Sequence, residues 1–316
     1  MQSKTLRGVL MALTTITVWG ATYVVTKGVM SELTAIDVLV TRFTIGFLIL
    51  AAVAKATGQS LMIQERSDLK LFIASGATGV AAYFTLENCA LYFTQAANVG
   101  VIVSLIPITN VLVMWFFFRD VPLKRQFFIG SAIAVAGSAC LTLATDKLGA
   151  VSPLGDLLAF LACFAWPLYC VVSRKLSERG YKIIPMTAWT FFFGVLIMLP
   201  FDIGFGSKIS LSTLTDPGVF MGLAFLGVFA SALCYATWTG AVESLGIAKT
   251  SLFLYAQPLI TVLLSVVFLH ETLPPLAIAG IVTIFVGLIV AQKGHRSGRK
   301  EQSYRSPRQT QTAEPL

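Results

Sequence analysis

The chain alternates between long apolar runs and short polar connections. Ten stretches reach the roughly 20 apolar residues that a helix needs to cross a bilayer. They fall at 6–30, 34–57, 71–93, 97–117, 126–144, 154–173, 183–203, 218–240, 247–269 and 275–292. The period-two alternation of barrel strands is absent from them, and backbone polar groups in lipid must be satisfied internally, so the pattern predicts helices. The first run is too long for the apolar core of a signal peptide and lacks a cleavage motif, so it is expected to stay as a spanning helix.

Composition agrees. Of 316 residues, 56% are hydrophobic and only 12% charged, where soluble domains carry roughly 25% charged residues. Mean hydropathy is +0.80. The fold class expected is an all-α integral membrane protein. The net charge of +8 does not point to nucleic acid, because the positive residues lie in short connections and in the tail instead of on one domain. That distribution is the one that orients a membrane chain. With the N-terminus in the cytoplasm, the inside receives Lys4, Arg7, Lys55, Arg66, Lys70, Arg119, Lys124, Arg125, Arg174, Lys175, Arg179, Lys182, Lys249 and the tail, while the outside receives Lys27, Lys147 and Lys208. An even number of spans returns the C-terminus to the cytoplasm. Residues 292–316 are polar and basic and are expected to form a disordered tail.

Enzyme chemistry fails on inventory. The two histidines are His270 and His295, and no HExxH, GxSxG or Walker A loop is present. The five cysteines all lie in apolar runs without metal-ligand spacing and read as small buried hydrophobes. No cofactor and no metal are called for.

An internal repeat organises the spans. "WGATYVVTK" (19–27) lines up with "WPLYCVVSR" (166–174), an offset of 147; Pro107 with Phe118-Arg119-Asp120 lines up with Pro258 and Leu269-His270-Glu271, an offset of 151; Gly130 and Gly137 match Gly280 and Gly287 at 150. The halves are residues 6–144 and 153–291. Five spans per half is an odd number, so the second half enters the membrane inverted, as in secondary transporters whose site lies between the repeats.

With Trp19-Gly20, Arg42-Phe43, "ALYFTQAANVGVIVSLIP" (90–107), "FFFRDVPLKRQFFIG" (116–130), "GAVESLGIAKTSLFLYAQP" (240–258) and "FLHETLPPLAIAG" (268–280), nearly the whole chain resembles the EamA branch of the drug/metabolite transporter superfamily. The resemblance implies a carrier of ten transmembrane helices in two inverted five-helix repeats, in the bacterial inner membrane, often an exporter of amino acids, amines, aromatic metabolites or drugs. Pro167 stands where the first half has Gly20, so the halves are not equivalent there.

Two charges lie well inside spans. At 1.5 Å per residue, Arg42 is roughly 5 Å and Glu87 roughly 7 Å to the outer side of their span midpoints, so they share a depth. Such charges cost several kcal/mol unless paired or hydrated. They form a structural pair, or Glu87 bonds across helices, or both face the site, Glu87 taking a proton or a substrate amine and Arg42 a substrate carboxylate. Asn88, Tyr83 and Asn98 add polar groups; Tyr83 and Glu87, four apart, share a face. Tyr255 and Gln257 are second-half counterparts. Trp19 and Trp166 lie mid-span, as core or as site lining. Pro107 and Pro258 break the helical ladder at matched positions, as static kinks or as hinges. The small faces at Gly130, Gly137, Gly280 and Gly287 suit close packing within the repeat or a homodimer contact.

The function expected is secondary transport, in the export direction, of a small amino acid-like or amine metabolite by alternating access with proton coupling. The partners are a small-molecule substrate and the lipid bilayer, not nucleic acid. The alternatives are a multidrug or lipophilic-metabolite exporter using the aromatic residues, and a non-transporting membrane scaffold, for which only the tail speaks.

Overall fold

The computed structural model describes residues 2–93, 96–121, 123–145, 152–204, 206–257, 259–260 and 274–296. All regular structure among them is helical. In chain order the helices are α1 (Gln2–Val29), α2 (Ala35–Ala56), α3 (Leu69–Gly76), α4 (Tyr83–Phe93), α5 (Ala96–Val103), α6 (Ile106–Phe118), α7 (Arg125–Thr145), α8 (Pro153–Glu178), α9 (Ile183–Gly204), α10 (Leu211–Thr215), α11 (Pro217–Ala224), α12 (Cys234–Leu245), α13 (Ile247–Leu252) and α14 (Pro275–Arg296). Among the described residues, six stretches are long and apolar enough to cross a membrane: Ala35–Ala56, Arg66–Ala90, Val99–Phe118, Pro153–Glu178, Ile183–Gly204 and Pro217–Leu245; Arg125–Leu141 and Pro275–Ala291 are shorter apolar helices.

Several starts are written locally. Thr34 and Asp37 close a capping box on α2; Ser152 accepts from Gly155 N ahead of Pro153, and Asp216 accepts from Gly218 N and Val219 N ahead of Pro217. These side chains satisfy amides that the first helical turn leaves without carbonyls. The outward surface is apolar: Leu48, Phe116, Phe160, Phe220, Val282 and Phe285 are exposed on five different helices. Five helices displaying such residues together describe a chain solvated by lipid. The protein is an integral membrane protein.

Six of the ten expected spans are found among the described residues as stretches long and apolar enough to cross, and four of the expected apolar runs are not single α-helices. A π-helical turn (Ala77–Ala82) separates α3 from α4, and a second (Phe225–Leu233) separates α11 from α12. The run containing Pro107 is broken at Ser104–Leu105, where Leu105 N bonds back to Ile102 O at 2.9 Å, and Pro107 sits in the first turn of α6. There its missing amide costs nothing, so the proline starts a new helix instead of kinking an old one. In the second half, α13 tightens into a 3-10 stretch (Phe253–Ala256) just before Gln257; Pro258 itself lies outside the described residues. The last helix runs to Arg296, past the boundary at Ala291 expected from hydropathy, and residues 297–316 lie outside the described residues.

The two halves interlock. α1 packs on α12, α2 on α9, α8 on α4, α5 and α6, and α7 on α14, so each of these pairs joins one half to the other. The α7–α14 pair explains the glycines. A Cβ on Gly130 would lie 2.3 Å from Ala291 N, and one on Gly287 would lie 2.6 Å from Ala134 N. Without a side chain the backbones touch, which is how membrane helices gain packing where no hydrophobic drive exists between them. This face is therefore neither within one repeat nor free for a homodimer, as the sequence had suggested: it is filled by the opposite half.

Candidate functional site

The interlocked helices bring a set of aromatic rings to the centre. Trp19 (α1) meets Trp166 (α8) at 5.6 Å, Trp238 (α12) at 5.6 Å and Tyr235 (α12) at 6.2 Å between ring centroids. Trp166 also meets Tyr83 at 5.5 Å and Tyr235 at 5.6 Å. Tyr235 continues the cluster to Phe43 at 6.0 Å and Phe191 at 4.9 Å. These are contact separations, mostly edge-to-face or tilted, the arrangements favoured by ring quadrupoles. Trp166 and Trp238 are buried and Trp19 is half-buried.

The two intramembrane charges flank this cluster without pairing. Glu87 on α4 is half-buried, and Tyr83 Oη donates to its Oε1 at 3.3 Å, one turn back on the same helix. Arg42 on α2 is buried. Its Nε donates to Ser231 Oγ at 3.0 Å, and its guanidinium lies over the rings of Phe43 and Phe84, at 4.9 and 5.3 Å. No carboxylate comes within ion-pair distance of Arg42 among the described residues. Cation–π contacts offset on the order of 1–2 kcal/mol of desolvation each, and a guanidinium has five donors, of which one is used here. Of the readings left open by the sequence, the direct ion pair is not contained in this geometry, and among the described residues no hydrogen bond joins Glu87 to another helix. Asn88 is half-buried beside Glu87.

Another donor is left over. Trp19 Nε1 donates to Ala230 O at 3.0 Å, whereas the buried Trp166 Nε1, its mate in the repeat, has no partner among the described residues. A buried donor left unmade costs about 1–3 kcal/mol.

Other candidates are placed elsewhere. Tyr255 is buried, but no ring contact joins it to this cluster among the described residues. Gln257 is closer: its carbonyl oxygen lies 3.5 Å from where a Cβ on Gly20 would stand, beside Trp19. Asn110 on α6 donates to Ser251 Oγ at 2.9 Å and ties the halves together. The Asn98 side chain lies outside the described residues.

Phe43, named in the sequence only as part of the Arg42-Phe43 motif, completes the site together with Tyr235, Phe84 and Ser231, which the sequence did not single out. The repeat itself held the signal. Phe84 and Tyr235 are separated by 151, the offset of the two prolines, and both stand just after a π turn.

At the Arg174 end of α8 the halves are joined by charge. Arg174 pairs with Asp120, with Nη1 to Oδ1 at 2.9 Å, and with Glu178 at 2.9 Å, and it stacks 3.9 Å over Phe118. Hydrogen bonds from Arg174 hold the Asp120 carboxyl below the usual carboxylate range. Arg179 pairs with Asp68, which also accepts from Tyr181 Oη at 2.6 Å, and Ser177 Oγ donates to Glu243 at 2.9 Å.

Residues 6–143 and 153–291 each match the EamA-like transporter family. The chain is 25% identical over 265 residues to the "Probable terminal-alkyne amino-acid exporter" of Streptantibioticus cattleyicolor, covering 83% of this chain and 85% of that one. It is 24% identical over 301 residues to the "Probable amino-acid metabolite efflux pump" of Salmonella typhimurium, covering 92% and 96%. A transporter of Bacillus subtilis, YyaM, is 25% identical over 72% of this chain and 74% of its own. A crystal structure at 21% identity superposes with a TM-score of 0.78 over 92% of this chain and 98% of that one, which shows the same fold.

Proposed function

Since the chain belongs to the EamA-like transporter family and is a membrane transporter, not an enzyme, we propose that it exports a small amino acid-like or amine metabolite by alternating access. The observation that carries this reading is the unpaired couple of intramembrane charges. Arg42 on α2 and Glu87 on α4 both lie beside one aromatic cluster, each with a single neutral hydrogen-bonding partner among the described residues. Unpaired charge at membrane depth is retained where it meets a ligand or a proton. A zwitterion supplies both missing partners: its carboxylate meets Arg42, with the Trp166 N–H as a further donor, and its ammonium meets Glu87. The two relatives named for amino-acid export support the same chemistry.

In this reading all ten apolar stretches span the bacterial inner membrane, with both termini in the cytoplasm, as the lysine and arginine distribution favours. The two repeats rock about the aromatic cluster, and its rings part to admit the substrate. Glu87 carries the coupling proton when it is not holding an amine. Pro107 begins a segment that moves, because the break at Ser104–Leu105 leaves no continuous ladder to resist bending, and the repeat assigns the same hinge role to Pro258.

Uptake into inverted membrane vesicles tests this with Glu87→Gln, which keeps the shape and removes the charge. Transport should be lost or should become insensitive to an imposed pH gradient. Unchanged, gradient-driven export by the variant would remove Glu87 from the coupling role. Export of apolar cations with refusal of every zwitterion would favour a lipophilic-metabolite exporter built on the aromatic cluster.

A further inference from the structure

The two π turns fall at matched places in the two halves. Gly79 in the first and Ala230 in the second are 151 residues apart. A π turn carries one residue more than an α turn, which displaces a carbonyl from the regular ladder. Here the carbonyls of both turns are taken by aromatic side chains of the other half. Tyr235 Oη donates to Gly79 O at 2.8 Å, and Trp19 Nε1 donates to Ala230 O at 3.0 Å. Tyr235 and Ala230 are essentially inaccessible to solvent. The two donor rings touch each other edge-on, 6.2 Å apart with planes at 77°. The residue after Ala230 is Ser231, which receives Arg42 Nε.

We propose that Trp19 and Tyr235 are positioning residues that hold the two π turns in register from the opposite repeat, and that a substrate entering between their rings releases both turns together. Converting a π turn to an α turn removes one residue from the bulge, and the helix beyond it turns by about 100° and slides about 1.5 Å. Beyond Gly79 lie Tyr83 and Glu87; beyond Ala230 lie Tyr235 and Trp238. Register in these turns therefore sets which side chains face the site. The latch crosses between the halves in both directions: Tyr235 of the second half holds the first turn, and Trp19 of the first half holds the second. Its purpose rests on the carrier reading above; its test does not need a substrate.

Hydrogen exchange followed by mass spectrometry on the full-length protein in lipid nanodiscs distinguishes the latch from general packing. Tyr235→Phe removes the hydroxyl and keeps the ring; it should speed exchange in residues 77–82 and leave 225–233 unchanged. Trp19→Phe, or replacement of Trp19 by the isosteric benzothienylalanine that lacks the N–H, should do the reverse. Loss of one ordinary hydrogen bond corresponds to roughly three- to tenfold faster exchange. Labelling of Glu87 by a hydrophobic carbodiimide should change with Tyr235→Phe, whose turn precedes Glu87, and stay as in the wild type with the Trp19 variants. Equal acceleration in both segments, or none in either, would overturn the latch. If the reciprocal pattern appears while no amino acid or amine is transported, the carrier reading of the substrate fails and the latch stands.

Discussion

The far ends of α1 and α8 are counterparts in the repeat, yet they are held by different physics. At Val25–Val29, α1 packs with Leu33, Val38, Val219, Leu223, Leu226 and Ala230 in an apolar cluster, and Val29 fills the space above Gly222. At Arg174–Arg179, α8 is held by the pairs to Asp120 and Asp68 and by Ser177 on Glu243. The offset of 147 sets Lys27 against Arg174 and Val29 against Leu176, so in the inverted arrangement proposed above the two seams lie on opposite sides of the membrane. Packing of apolar groups is indifferent to ionic strength, whereas exposed ion pairs are screened. A carrier built this way has one seam whose strength salt can tune and one whose strength salt cannot.

The largest effect that would break this contrast is steric. A Cβ at Gly222 would lie 2.4 Å from Val29 Cγ2, on a β-branched side chain with little rotamer freedom. Gly222→Val should cost about 1–3 kcal/mol by overpacking, read as a drop in melting temperature in nanodiscs that is the same at low and high salt. A smaller effect is expected from Arg179→Ala. Asp68 has a side-chain exposure of 3% and would keep only Tyr181, but Arg179 itself is 47% exposed and water replaces part of it. About 1 kcal/mol is expected, less than for a fully buried pair. Smaller still is Asp120→Asn, at about 0.5 kcal/mol or less, because Asp120 is 54% exposed. This loss should shrink further in high salt; equal salt dependence for Gly222→Val and Asp120→Asn would erase the distinction between the seams.

Acidification should separate the seams last and least. The Asp120 carboxyl is depressed in the folded protein, so its contribution is complete above the ordinary carboxylate value of about 3.9 and is lost only as pH falls through the lower folded value. Melting temperatures of the wild type and Asp120→Asn should therefore differ by a constant amount from pH 8 to pH 5 and converge only below about pH 4.

The sequence carried the spans, the repeat and the charges, because length and hydropathy act locally and are written residue by residue. Trp19 and Trp166, Pro107 and the glycines were all visible as matched positions. What it did not carry is azimuth. Arg42 and Glu87 were placed at one depth by counting residues, and a pair followed as one reading. The π turn at Ala77–Ala82 rotates everything after it, however, and Arg42 reaches Ser231 across the repeat instead. A π turn has no composition signal; "ATGVAA" and "FLGVFASAL" read as ordinary helix. Tyr235 was hidden for a related reason, since one more aromatic residue in a run of aromatics gains meaning only through its partners in the other half. Likewise Arg174 was counted as an orientation signal and Asp120 as one position of the repeat match, and only the interlocking of α8 with α6 brought them together.

Counterflow in proteoliposomes across the common amino acids, each beside the amine left when its carboxylate is removed, tests the central claim most directly. If Arg42 receives a carboxylate and Glu87 an amine, the wild type will favour the amino acid of a matched pair by about tenfold or more, the worth of a charge-assisted hydrogen bond. Arg42→Gln will bring the pair close to parity while Glu87→Gln lowers transport of both. A wild type that moves both members equally, or an Arg42→Gln variant that keeps the full preference, would contradict it.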